Sequence, residues 1–358
     1  MKINKTIFTA VLSTAAIMAF SCASDSKITK GGNMEDKDKS ITFEKGAVNE
    51  YGTKMTLTKE IKVKADSSSS IVVDWKNEKT VEVPNVTAKE EKAVVYKKSV
   101  VTDGYKKGEE LDLHMDIMYH DDASSPQPVV LFIPGGGFIG CDSQNSLRLE
   151  RQYLAENGFA VASIEYHVVG NGFYSDAVQD IRDAMKFLSD NAEKYNIDTS
   201  RLALMGNSAG GYMTALVTAM DSTGIKASID LYGLSDLTMV GMDFDDACKA
   251  AHHSPTSSES QYVNGVFSGK AINEDLEKAA KANPLTYIGG NECPMLIMHG
   301  DSDSLVSSSQ SLLVHEALLK AGVPSTRYSL VGAEHGRGGF NTEPALKTMI
   351  DFLRANLN

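Results

Sequence analysis

Six short runs rich in apolar residues recur through the second two thirds of the chain, and between them lie longer segments of helical periodicity. The runs are Val129 to Ile133, Phe159 to Ile164, Leu202 to Met205, Ile225 to Leu231, Met295 to Met298 and Thr326 to Leu330. Strands that are apolar at every position are buried on both faces, which happens when helices cover both sides of a parallel sheet. Helical patterns fall at about 144–156, 175–194, 208–221, 307–321 and 341–357. The alternation predicts an α/β architecture with a mostly parallel sheet, and ligands at the carboxyl ends of its strands. Just before these runs, Leu111 to Tyr119 alternates strictly, as a half-buried antiparallel strand does.

Within that rhythm one junction is unusually tight. The run Leu202 to Met205 ends in Gly206-Asn207-Ser208-Ala209-Gly210-Gly211, and a helical pattern follows at once. A serine at the apex of a sharp strand-to-helix turn is the nucleophile elbow, and glycines two positions either side permit the close backbone approach it needs. Serine is a poor nucleophile until a base takes its proton, and histidine titrates in the working range. Of eight histidines, His335 in Gly332-Ala333-Glu334-His335-Gly336 follows the last strand and precedes the last helix, within loop reach of Ser208. The loop after the penultimate strand, His299-Gly300-Asp301-Ser302-Asp303, offers a carboxylate to orient that histidine. Asp303 lies deeper in the loop, Asp301 competes with it, and Asp236 stands third. Pro134-Gly135-Gly136-Gly137-Phe138 ends the first parallel run, where bare amides can approach a substrate oxygen; Ala209 opens the helix and adds another. No Lys-Ser/Thr follows the triple glycine, which argues against a phosphate cradle.

From about residue 93 to the C-terminus the chain resembles α/β-hydrolase esterases of the hormone-sensitive-lipase-like group. It is most similar to the branch of bacterial feruloyl and acetyl-xylan esterase-like (BD-FAE-like) proteins. The resemblance rests on Pro134 to Phe138, Gly206 to Gly211, His299 to Asp303 and Gly332 to His335. It implies a catalytic triad of Ser208, Asp303 and His335, with Gly136, Gly137 and Ala209 as oxyanion donors. It implies no cofactor and no metal. Three departures stand out: Pro134 where many relatives open the loop with histidine, Asn207 for the usual aspartate, and Tyr166-His167 where Tyr-Arg is more usual. The last puts one supporting ion pair in question.

The remaining segments carry other expectations. Lys2 and Lys5 precede an apolar stretch, Ile7 to Phe20, that leads through small residues to Cys22, so residues 1–21 read as a lipoprotein-type signal peptide. Acylation of Cys22 would anchor an exported protein to a membrane at the periplasmic or cell surface; ordinary cleavage and secretion is the rival reading. Residues 22–40 read as a flexible tether, and 41–92 as a small β-rich extension or extra edge strands. The catalytic domain is expected over 93–358, with a lid inserted at about 234–283. Within that lid His252 and His253 read as solvated loop residues, and Phe138 and Tyr212 read equally as pocket or core. Cys141, Cys248 and Cys293 are an odd set with no metal-like spacing and read as small buried residues. A formal net charge of −12 disfavours nucleic acid as a partner. The expected activity is serine carboxylic ester hydrolysis on a small or carbohydrate-linked ester. A peptidase or amidase on the same fold and a non-catalytic surface lipoprotein are the alternatives.

Overall fold

The computed structural model describes residues 51–53 and 57–357. The signal peptide, Cys22 and the tether lie outside the described residues. Nine strands form one sheet: β1 (Ile71–Val73), β2 (Lys89–Val100), β3 (Glu110–Tyr119), β4 (Gln127–Ile133), β5 (Ala160–Ile164), β6 (Ile197–Asn207), β7 (Ala227–Leu231), β8 (Met295–Gly300) and β9 (Ser325–Leu330). Their order is β1-β9-β8-β7-β6-β4-β5-β3-β2. The strands from β4 onward pair in parallel and β1 joins β9 in parallel, while β3 runs antiparallel to both β2 and β5.

The apolar runs become the sheet's centre for a simple reason. Along β4, Val129, Leu131 and Ile133 enter one buried cluster, and Val130 and Phe132 enter the other. Along β6, Leu202 and Leu204 divide from Ala203 and Met205 in the same way. Successive side chains point to opposite faces, so a strand covered on both sides must be apolar at each position. Helices α2 (Tyr174–Asp190) and α3 (Ala209–Met220) close the first face through Ala177, Ile181, Ala184 and Leu216. Helices α1 (Arg148–Glu156) and α8 (Glu343–Leu357) close the second through Leu154, Leu346, Met349 and Leu353. Removing one of the larger of these side chains, such as Ile181 or Leu353, from water contributes about 1.5–3 kcal/mol.

Between β7 and β8 the chain makes α4 (Asp246–His252), α5 (Ser258–Asn264) and α6 (Leu276–Lys281), and after β8 comes α7 (Ser309–Lys320). His252 and His253 are not solvated. His252 is buried with its Nδ1 2.9 Å from Glu259 Oε1, and half-buried His253 sets Nε2 2.8 Å from the Thr238 carbonyl. Adjacent histidines in a polar segment resemble loop chemistry until α4 and α5 fold together and enclose one of them. Residues 57–88 are not a β-rich unit either. They supply only the three-residue edge strand β1, and otherwise run as an irregular strap. Thr58 donates its amide to the Ser304 carbonyl at 3.0 Å, and Lys62 and Val63 donate theirs to the Asp243 carbonyl. This segment has too few consecutive apolar residues to build a core of its own, so it adheres to the larger domain. Among the described residues no helix is long and apolar enough to cross a membrane.

Candidate active site

The strand order changes direction around β4, which has β5 on one side and β6 on the other. Loops leaving β4 and β6 therefore diverge from adjacent strand ends and open a crevice between them. Into it β6 delivers Ser208 with φ 53° and ψ −122°, a backbone conformation rare for residues other than glycine. The turn is tight because neighbouring backbones touch. A Cβ on Gly206 would lie 2.2 Å from the Gly210 carbonyl oxygen, and one on Gly210 would lie 1.9 Å from that of Ile133. Ser208 is held further by its own amide donating to the Leu231 carbonyl at 2.8 Å.

Two distant loops meet it. His335 Nε2 lies 2.9 Å from Ser208 Oγ, and His335 Nδ1 lies 2.6 Å from Asp303 Oδ2. Asp303 is buried, and its Oδ1 accepts the amides of Leu305 and Val306, each at 2.9 Å. Burial resists the charge on this carboxylate, yet His335 and His299 beside it override that resistance and hold it well below the usual carboxylate range. Asp301 is elsewhere: it accepts the Gly332 amide at 2.7 Å and the Ser302 hydroxyl. Asp236 caps its own turn through the amide and hydroxyl of Thr238.

The glycine loop after β4 lies against the elbow. A Cβ on Gly135 would come within 2.9 Å of Ser208 Cβ, and the Gly135 amide donates to Asn207 Oδ1 at 2.9 Å. Tyr166 Oη donates to the Pro134 carbonyl at 2.6 Å, so this loop is braced without a histidine at its head. Gly136 packs against Gly140, and Gly137 takes φ 60°. No acceptor among the described residues takes the Gly136 or Gly137 amide, and Ala209 begins α3, where helical amides have no internal partner. Phe138 and Tyr212 are core residues. Both are buried, with ring centroids 5.3 Å apart.

His167 makes a buried pair with Asp180. Its Nδ1 lies 2.7 Å from Asp180 Oδ2, and Lys97 Nζ lies 2.7 Å from Asp180 Oδ1. The three cysteines are packed away as expected: Cys248 and Cys293 are buried and Cys141 is half-buried. Burial pushes the Cys141 thiol up to about 12 and that of Cys293 to about 11. Among the described residues no group of three or more His, Cys, Asp or Glu could hold a metal ion.

Two further residues flank the line of Ser208, His335 and Asp303. Tyr232, with φ 46°, sets its ring 4.8 Å from that of His335, edge to face. His299, at the end of β8, turns Nε2 to within 3.2 Å of Asp303 Oδ2. It stands four residues before Asp303, and nothing in that spacing tells a histidine packed or bonded locally from one that touches the carboxylate.

Known proteins agree with this geometry at the level of fold and family. The chain is 25% identical over 253 residues to Esterase LipC of Mycobacterium tuberculosis, spanning 65% of this chain and 59% of that protein. It is 25% identical over 241 residues to Endo-1,4-beta-xylanase B of Butyrivibrio fibrisolvens, spanning 63% of this chain and 34% of that one. The chain thus spans about a third to three fifths of these curated relatives. A truncated carbohydrate esterase from gut microbiota superposes with a TM-score of 0.62 at 20% identity, over 76% of this chain and 98% of that one. At that identity the likeness shows the α/β-hydrolase fold. The BD-FAE family model matches residues 115–318, more than half of the sequence and the whole of the elbow and acid loop, so this chain belongs to the BD-FAE family.

Proposed function

We propose that this protein is a serine carboxylic ester hydrolase acting through an acyl-enzyme on Ser208. The observation that carries the proposal is the hydrogen-bonded line from Ser208 Oγ to His335 Nε2 at 2.9 Å, and from His335 Nδ1 to Asp303 at 2.6 Å. His335 takes the hydroxyl proton as Ser208 Oγ forms a bond to the ester carbonyl carbon. The tetrahedral oxyanion accepts hydrogen bonds from the amides of Gly136, Gly137 and Ala209. The intermediate collapses with cleavage of the carbon–alkoxide bond, and His335 returns the proton to the leaving alcohol. Water, deprotonated by His335, then attacks the acyl carbon; the bond to Ser208 Oγ breaks, His335 returns the proton to that oxygen, and the acid leaves. Asp303 stays ionised throughout and stabilises the imidazolium.

The substrate class we favour is a small acyl ester on a carbohydrate. The family and the names of two relatives, a carbohydrate esterase and a xylanase, support this choice. Export follows from residues 1–21, with attachment through acylated Cys22 and the 22–40 tether. The decisive experiment pairs Ser208→Ala with an alkylphosphonate probe. The wild type acquires the probe mass on the peptide carrying Ser208, and the variant does not. Turnover falls on the order of 10⁶-fold, the scale known for subtilisin's nucleophile. Nitrophenyl esters, acetylated xylan, methyl ferulate and aminoacyl nitroanilides assayed together separate esterase from amidase. Near wild-type ester hydrolysis by Ser208→Ala would end the proposal.

A further inference from the structure

The carboxylate of Asp303 receives four hydrogen bonds, and only one comes from His335. Leu305 and Val306 amides fill Oδ1, while His335 Nδ1 and His299 Nε2 share Oδ2 at 2.6 Å and 3.2 Å. A carboxylate offers about four acceptor sites, so His299 takes the last one. We infer that His299 is a positioning residue of the triad, a second imidazole that fixes Asp303 in place and moderates its pull on His335. The inference rests on the triad reading above and extends it to a residue that never meets substrate.

The surrounding atoms decide the tautomer. His299 Nε2 faces two groups that can only accept, Asp303 Oδ2 and the Val306 carbonyl at 3.1 Å, so Nε2 must carry hydrogen. Nδ1 lies 2.8 Å from Ser311 Oγ, and that oxygen already accepts from Arg327 Nε at 3.1 Å. The single Ser311 hydroxyl hydrogen has two acceptors in reach, the Ser308 carbonyl at 3.2 Å and Nδ1 at 2.8 Å, and with hydrogen on Nε2 the nearer Nδ1 offers it a lone pair. One donor each from Arg327, Ser311 and His299 lines up toward Asp303, and the His335 N–H points toward it from the other side. Such aligned chains polarise each other inside a low-dielectric core. His299 is fully enclosed, and burial holds it below the ordinary histidine range, so it works as a neutral donor. The charged groups bearing on it are Asp303, His335 and Arg327, and Arg327 in turn feels Asp230 and Glu316.

A donor that shares Oδ2 draws charge from the oxygen that stabilises the His335 imidazolium. Removing it leaves one buried lone pair unsatisfied and a more basic carboxylate, free to tilt away from the triad plane. Two effects follow together: weaker positioning, and a base that holds its proton to higher pH.

The test measures kcat and KM for a short-chain nitrophenyl ester from pH 5 to 9 in wild type, His299→Leu and His299→Gln. Near-UV circular dichroism and melting confirm the fold. In His299→Leu we expect kcat to fall on the order of tenfold to a hundredfold with KM nearly unchanged. Its acid limb moves to higher pH by roughly half a unit. Glutamine can still donate to Oδ2 and accept from Ser311, so His299→Gln recovers most of the rate and the wild-type limb. A merely structural histidine predicts the reverse: a lower melting point, an unmoved limb and no rescue by glutamine. That result, or a wild-type profile in His299→Leu, overturns the inference. If His299→Leu does not fold, Ser311→Ala replaces it, and a limb that stays in place there overturns the inference equally. A wild type inactive on every ester tested would instead remove the esterase reading itself.

Discussion

The side-chain oxygen of Asn207 accepts the backbone amide of Gly135 at 2.9 Å, which bolts the glycine loop to the residue just before Ser208. The same oxygen lies 3.3 Å from the Ser146 hydroxyl. One buried amide group thus holds together the loop offered for the oxyanion and the turn that carries the hydroxyl. Asn207→Ala leaves the Gly135 N–H buried and unpaired, at a cost of about 1–3 kcal/mol. We expect a lower melting temperature and a kcat loss larger than any change in KM, because the loop loosens around the transition state. Asn207→Asp keeps the acceptor and should keep most of the rate. Equal activity in Asn207→Ala and wild type would contradict the bracing role.

Glycines in this region differ in what they permit. At Gly210 an added Cβ would sit 1.9 Å from the Ile133 carbonyl oxygen, whereas one at Gly140 would meet nothing within 4 Å. Gly210→Ala must push the elbow away from the end of β4 and should destabilise by more than about 3 kcal/mol. Gly140→Ala should melt like the wild type. Urea unfolding of the two variants side by side checks the contrast.

The insertion between β7 and β8 carries its own ionic pin. His252 and Glu259 are both buried and paired at 2.9 Å. Burial opposes the charge on His252, but the Glu259 carboxylate, with Cys248 adding to it, outweighs burial and raises His252 to about 10. Glu259 is held below its ordinary value by the same pair, against its burial. A raised histidine contributes stability that is full below its ordinary value near 6.5 and is lost as pH rises through about 10. The lowered Glu259 contributes stability above its ordinary value that is lost as pH falls. Melting temperature should therefore decline between pH 7 and 10, and Glu259→Gln should flatten that decline while losing about 3 kcal/mol at neutral pH. Parallel slopes in the two proteins would rule the pair out as the cause.

The strap ahead of the sheet is held at Asp245. Its Oδ2 accepts the Lys59 amide at 2.8 Å and the Thr58 hydroxyl at 2.9 Å, and its Oδ1 caps α4 through the Cys248 amide. These donors hold the carboxyl well below the usual range, so its support is present at neutral pH and is lost as pH falls through that lowered value. Asp245→Ala should expose residues 57–63 to limited proteolysis at neutral pH, and wild type should show the same cleavage only in strong acid. Unchanged cleavage kinetics in the variant would show the strap is held elsewhere.

Much of this protein is written locally. Val129 to Ile133 and Leu202 to Met205 are apolar at every position because each face of the strand meets helices, and that requirement is visible one residue at a time. Gly206 and Gly210 mark the elbow for the same reason, since a turn so tight excludes side chains within a few residues of Ser208. Where the deciding contact joins distant segments, no local pattern reports it. Asp301 and Asp303 are two positions apart in one polar loop, and only the packed end of β8 turns Asp303 toward His335 and Asp301 toward Gly332. His252 looks solvated until α4 and α5 enclose it, and the 57–88 strap looks like strands until it lies on the sheet's edge and the inserted helices. His299 is the clearest case. Whether it merely fills space or donates to the carboxylate depends on Ser311 and Arg327, which reach it from α7 and β9 only after the chain has closed around it.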